Sequence, residues 1–224
     1  MSSGWANEIS AVLGKELRTE WRDKTGLMTA LVFSIAAVIC VAFSAAGMRL
    51  GGTLAAGLFW LAMLFAAIVG QARSFLAEED HGTADLLRLM ARPHAVFWGK
   101  ALYNLLQGLF AGAVLGFLFI FLLNQKVPNP ALFALSILGG AAALSGVVTL
   151  CSALVSQAAY GSALAGAIAL PLLIPLLGLA VSATQVAFGA FSTASGLGSC
   201  LGLLAYAVSG LAIGPYLYAA VWKS

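Results

Sequence analysis

The side chains best suited to metal ligation, nucleophilic attack or proton transfer are few in this 224-residue sequence: two histidines, three cysteines and eight carboxylates. His81 and His94 share one polar segment, and no metal-ligand spacing surrounds them, so a solvated or capping role suits them better than metal or haem ligation. Cys40, Cys151 and Cys200 stand singly inside apolar stretches, without C-x-x-C or C-x-x-C-H, and read as small buried hydrophobes. No G-x-x-x-x-G-K-[ST] phosphate loop is present, so the chain cannot hydrolyse a nucleotide unaided and is not itself an enzyme of that kind. The carboxylates are the exception to this sparseness. All four that follow Asp23 fall in one short run: Glu78, Glu79, Asp80 and Asp85.

The segment that carries them has a helical grammar. Gly82 breaks a helix arriving from upstream, Thr83 is placed to cap a new one, and Asp85 sits in its first turn. Arg88 and Arg92 lie toward its end, before Pro93. Leu86, Leu87 and Met90 then form an apolar stripe on a helix of about two turns, too short to stand alone in water. A solvated connector explains the charges, and a docking element explains the stripe as well.

The rest of the sequence is built for lipid. Hydrophobic residues make up 62% and charged residues 8%, with a mean hydropathy of +1.00. A water-soluble domain needs about 25% charge to coat its surface. There is no charged residue between Lys24 and Arg49, between Arg49 and Arg73, between Lys100 and Lys126, or from Val127 to Trp222. A bilayer core needs about 20 apolar residues of helix. The first three gaps hold one span each and the fourth holds three, divided by turn signals at 128–130, 156–161 and 182–198. The expected fold is an all-α polytopic membrane protein, a single membrane unit over 1–224. Its spans fall near 25–47, 52–73, 99–124, 131–156, 162–181 and 198–221, with a connecting loop at 74–98. The mixed polarity of 182–196 suggests a re-entrant or interfacial piece.

Nine of the eleven basic residues share a side with both termini, which the positive-inside rule assigns to the cytoplasm. The net charge of +3 needs no nucleic-acid partner. The N-terminal region is charged and lacks an apolar h-region, so it does not read as a signal peptide. Across 5–24, Trp5, Ile9, Val12, Leu13, Leu17 and Trp21 recur at helical spacing, as in an amphipathic helix lying in the bilayer interface. Gly108, Gly112 and Gly116 bare one face of span three for a close helix contact, within the chain or with a second copy. Pro171 and Pro175, one turn apart, each remove a backbone donor and make either a hinge or a fixed bend. No ionisable residue lies mid-span, which disfavours proton-coupled transport.

These residues resemble the CcmB family, the membrane subunit of the cytochrome c maturation ABC transporter. The likeness runs through the chain: Lys15-Glu-Leu-Arg18 with Arg22 before span one, and Arg73-x-Phe75 ahead of an acidic cluster. Gly82-Thr83-x-Asp85, Pro93 and Lys100 follow in the family's order. The most specific part is Leu170-Pro-Leu-Leu-Ile-Pro-Leu176, preceded by Gly161. Thr29 and Ala30 stand where the family often has proline, and the turn at 157–160 lacks its basic residues. The resemblance implies an ABC-2-type export permease of the bacterial inner membrane, with a separate CcmA-like ATPase that carries the ATP. CcmC-like and CcmD-like membrane subunits would accompany it, and haem would be cargo rather than a firmly held cofactor. It makes 74–98 a coupling loop, with Glu78, Glu79, Asp80, Gly82, Thr83, Asp85, Leu86, Leu87, Met90, Arg92 and Pro93 as the ATPase-docking residues. An export permease for a lipid, glycan or drug, and a non-transporting membrane scaffold, fit the same loop and topology.

Overall fold

Inside a bilayer every backbone N–H and C=O must find a partner within the chain, which leaves helices as the form open to isolated apolar segments. A computed structural model describes residues 2–45, 50–71, 78, 82–155, 161–190 and 193–221. Its elements are α1 (Ser2–Arg22), α2 (Thr25–Ser44), α3 (Gly52–Gly70), α4 (Ala84–Met90), α5 (Pro93–Leu123), α6 (Pro130–Val155), α7 (Gly161–Ala187) and α8 (Thr193–Val221). Among the described residues there is no strand. Six helices, all but α1 and α4, are long and apolar enough to cross a membrane. The chain is an all-α, multi-pass membrane protein.

Two boundaries differ from the sequence expectation for a physical reason. Span three is expected near 99–124, yet the helix that holds it, α5, begins at Pro93, which takes the first helical position where no N–H is needed. Span five was ended near 181, with 182–196 set aside as interfacial. Instead α7 runs on to Ala187, with its buried Thr184 paired inside the bundle. Thr184 Oγ1 accepts from Trp60 Nε1 at 2.8 Å and donates to Ser136 Oγ at 3.0 Å.

The central helix is α6. Two-thirds (67%) of its most apolar window is buried, against 22% for α2 and for α8. It packs against α3, α5, α7 and α8. At the end away from the termini, Phe59 of α3 meets Phe119 of α5 at 5.8 Å and Phe133 of α6 at 5.4 Å. Phe133 in turn meets Phe188 at 5.3 Å. Gly140 lets the Trp60 ring lie against the α6 backbone. Edge and tilted ring contacts of this kind add to the packing that holds helices together in lipid.

The bare strip of α5 lies inside the chain. A Cβ on Gly112 would sit 2.7 Å from Ile137 Cγ2 of α6 and 3.4 Å from Met63 Cε of α3. One on Gly116 would sit 3.4 Å from both Ile137 Cδ1 and Phe133 Cε1. Gly112→Leu is therefore expected to cost about 1–3 kcal/mol through overpacking. Gly57→Leu, at a position with no atom within 4 Å of the added carbon, should leave stability unchanged. Thermal midpoints of the two variants in detergent check this; equal midpoints would mean that the strip does not hold the helices together.

Candidate functional site

The polar chemistry converges where α1 crosses the start of α5. Val12 of α1 is buried there, and Gly99 makes room for it: a Cβ at 99 would lie 2.6 Å from Val12 Cγ1 and 3.3 Å from Ile9 O. This contact brings Lys15, Glu16 and Glu20 of α1 over Lys100 and Tyr103 of α5. Lys100 is fully buried, with Nζ 3.0 Å from Glu16 Oε1 and 3.2 Å from Glu78 Oε1. Lys15 bonds the same Glu78 carboxylate and stands 3.3 Å from Glu16. Two carboxylates and two ammonium groups thus form one clasp that joins α1, α5 and Glu78, ahead of α4 in the chain.

Glu20 extends the clasp to α2. One of its oxygens accepts from Tyr103 Oη at 2.8 Å, the other from the Leu27 backbone N–H at 2.8 Å. A carboxylate at this place satisfies a donor that the first turn of α2 leaves free and complements its dipole. Burial works to lower the Lys15 pKa, but hydrogen bonding to Glu78 and the charge of Glu16 outweigh it, and the ammonium is held above the ordinary lysine value. A raised lysine contributes fully below its unfolded pKa and loses that contribution only above its folded one. The Lys15 arm is therefore charged throughout neutral pH.

Glu78 is tied to the start of α4. The Glu78 carbonyl accepts from the Thr83 backbone N–H at 2.9 Å and from its hydroxyl at 3.4 Å, and Gly82 takes φ +66° to close the turn. Thr83 occupies the N-cap position, but its side chain serves Glu78 rather than the helix. Leu86, Leu89 and Met90 are 59%, 86% and 77% exposed. Leu87 turns inward with Ala91, onto Val12, Val96, Phe97 and Tyr218. Arg92, largely exposed, pairs with Glu8 at 3.6 Å. Glu79, Asp80, Arg73 and His81 lie outside the described residues, as do the side chains of Asp85 and Arg88.

Deeper in the bundle a neutral polar seam continues the line of Lys100. Asn104 Nδ2 donates to Thr149 Oγ1 of α6 at 2.8 Å, and Gln71 Nε2, just past α3, donates to Asn104 O at 3.1 Å. Gln107 and Ser145 are buried nearby. Gly108 leaves room for this seam, since a Cβ there would fall 2.9 Å from Gln71 Nε2 and 3.3 Å from Ser145 Oγ. Sequence reasoning missed both clasp and seam. The signal was the spacing of Lys100, Asn104 and Gln107, which puts three polar residues on one face of α5.

The other sequence-derived sites lie apart from the clasp. Pro171 and Pro175 are exposed inside an unbroken α7, and the neighbouring Leu172 carbonyl accepts from Tyr206 Oη of α8 at 2.6 Å. His94 packs edge-on against Tyr216 at 5.6 Å. No group of three metal-ligating side chains forms among the described residues.

The arrangement is a membrane bundle with a small helix seated against it beside a charged clasp, and known proteins are similar to this chain in sequence. The heme exporter protein B of Bradyrhizobium diazoefficiens is 28% identical over 225 residues, covering 95% of this chain and 96% of the relative. The heme exporter protein B of Rhodobacter capsulatus is 30% identical over 171 residues, covering 75% and 78%. The family model described as CcmB protein matches residues 7–224. With a match over nearly its whole length, this chain belongs to the CcmB protein family.

Proposed function

We propose that this chain is the permease subunit of an ABC-type haem-export complex of the bacterial inner membrane, serving cytochrome c maturation. Both termini then face the cytoplasm, and α1 lies along the inner interface with the exposed Trp5 and Trp21 toward lipid. The observation that carries the reading is α4: a seven-residue helix with Leu86, Leu89 and Met90 exposed, seated by Leu87 and the Glu78 turn. An apolar face on so short an element is stable only against a partner. The partner is a separate CcmA-like ATPase, which holds the ATP and whose closure moves α4 and, through the clasp, α1 and α5.

Haem is the cargo of the complex, as the relatives' names suggest. CcmC-like and CcmD-like subunits and a second copy of the chain complete the assembly, and ATP use drives either haem passage or release of the haem-loaded periplasmic chaperone. Pro171 and Pro175 supply the bend at which α7 repacks. Deleting the gene should abolish mature c-type cytochromes, and the tagged chain should carry an ATPase whose turnover it changes. A deletion strain with normal c-type cytochromes, or a purified chain that carries no ATPase, would refute the proposal.

A further inference from the structure

Three polar atoms in the seam beneath the clasp have no hydrogen-bond partner among the described residues: Gln71 Oε1, Gln107 Oε1 and Ser145 Oγ. Their residues are 2%, 8% and 1% exposed, in a region of the bundle that is otherwise apolar. Gln71 and Gln107 line a cavity of about 10 Å³, together with Met63, Gly108, Ala141 and Leu144. Ser145 is not in that lining, but its Oγ stands beside Gly108, which is. That volume is close to the space one water molecule needs, and buried waters make about three hydrogen bonds each.

We propose that this cavity binds a single ordered water that joins α3, α5 and α6. The donors and acceptor of one water match these three atoms. The bond from Gln71 Nε2 to Asn104 O fixes that amide with its oxygen as the free acceptor. A water has two protons, one for each glutamine oxygen, and its own oxygen accepts the Ser145 hydroxyl proton. A purely apolar cavity of this size would stay dry, and the two buried glutamines at its wall, with the Ser145 hydroxyl beside Gly108, reverse that preference. No carboxylate lines the cavity among the described residues, so the site suits a neutral ligand rather than a cation. The water completes a polar thread from Lys100 through Asn104 into the core and fixes how the three helices register. Its three bonds end on three different parts of the bundle, so the helices cannot slide past one another without breaking one of them.

X-ray radiolytic footprinting of the full chain in lipid nanodiscs tests this, because radicals generated from a bound water oxidise the side chains touching it. Met63 lines the cavity and is 2% exposed, so bulk water does not reach it. Met90, 77% exposed on α4, reports bulk water and serves as the reference. Met63 should be oxidised in the native chain, with reduced labelling in Ser145→Ala and loss of labelling in Gln107→Leu, while Met90 labels equally in all three. Ser145→Ala removes one hydroxyl and tests the site even where Gln107→Leu folds poorly. The proposal is overturned by a native chain in which Met90 is labelled and Met63 is not, or by Met63 labelling that is the same in all three chains.

Discussion

Replacing Leu86 and Leu89 together by aspartate should abolish co-purification of the ATPase and its stimulation, while the chain inserts and folds as before. Both side chains stand away from the bundle, so the change removes nothing that the chain uses for its own packing. In the complex each carboxylate would enter an apolar contact without a partner. Hot-spot residues of this kind contribute about 2 kcal/mol or more each, and two of them suffice to lose a transient partner. Leu87→Asp separates docking from folding. Leu87 packs on Val96 and Phe97, so its replacement should lower the thermal midpoint of the isolated chain, which the Leu86/Leu89 variant should not. Arg92→Ala, at an exposed position, should weaken the association slightly and in a salt-dependent way. Full ATPase binding by the folded Leu86/Leu89 double variant would remove α4 as the docking element.

The second large effect is expected at Lys100. Lys100→Met should destabilise the chain by about 3–5 kcal/mol, because it removes the buried cation between the half-buried Glu16 and the buried Glu78 and leaves the two carboxylates with the exposed Lys15 alone. Much of that loss is the cost of the stranded charges rather than the value of the clasp. Adding Glu16→Gln and Glu78→Gln to Lys100→Met should therefore recover a large part of the stability. Denaturant or thermal unfolding in detergent reads both changes. If the single variant unfolds at the native midpoint, the clasp does not bind α1 to α5. If the triple variant is stable yet fails in cytochrome c maturation, the charges serve coupling rather than folding.

The spans were legible because a bilayer imposes one rule on every segment that crosses it, and the charge gaps around Arg49, Arg73, Lys100 and Lys126 expose that rule directly. Ends were less so. Thr184 and Gln185 look interfacial by composition, and only the partners Trp60 and Ser136, far away in sequence, make the end of α7 helical and buried. Leu86 and Leu87 look alike in sequence, and the turn at Gly82 decides which of them faces outward; Leu89 was passed over for the same reason. The clasp was hidden because its four members come from three regions of the chain. Glu16 reads as one more polar position on an amphipathic helix until α1 is laid across Gly99.

The joint between α4 and α5 has a mechanical consequence. Only Ala91 and Arg92 separate the two helices, and both are extended, with φ/ψ of −134°/155° and −80°/144°. Pro93 holds Arg92 out of the helical region, so the connector cannot shorten by coiling. Two residues reach about 7 Å at full stretch, and this pair is already near it. Such a tether has no slack: a pull on α4 arrives at α5 undiminished, whereas compression is taken up by bending at Ala91. The linkage is thus directional, stiff in tension and compliant in compression. A partner gripping α4 would move α5 most by drawing it outward from the membrane, and inserting two glycines after Ala91 would leave the grip intact while uncoupling the stroke.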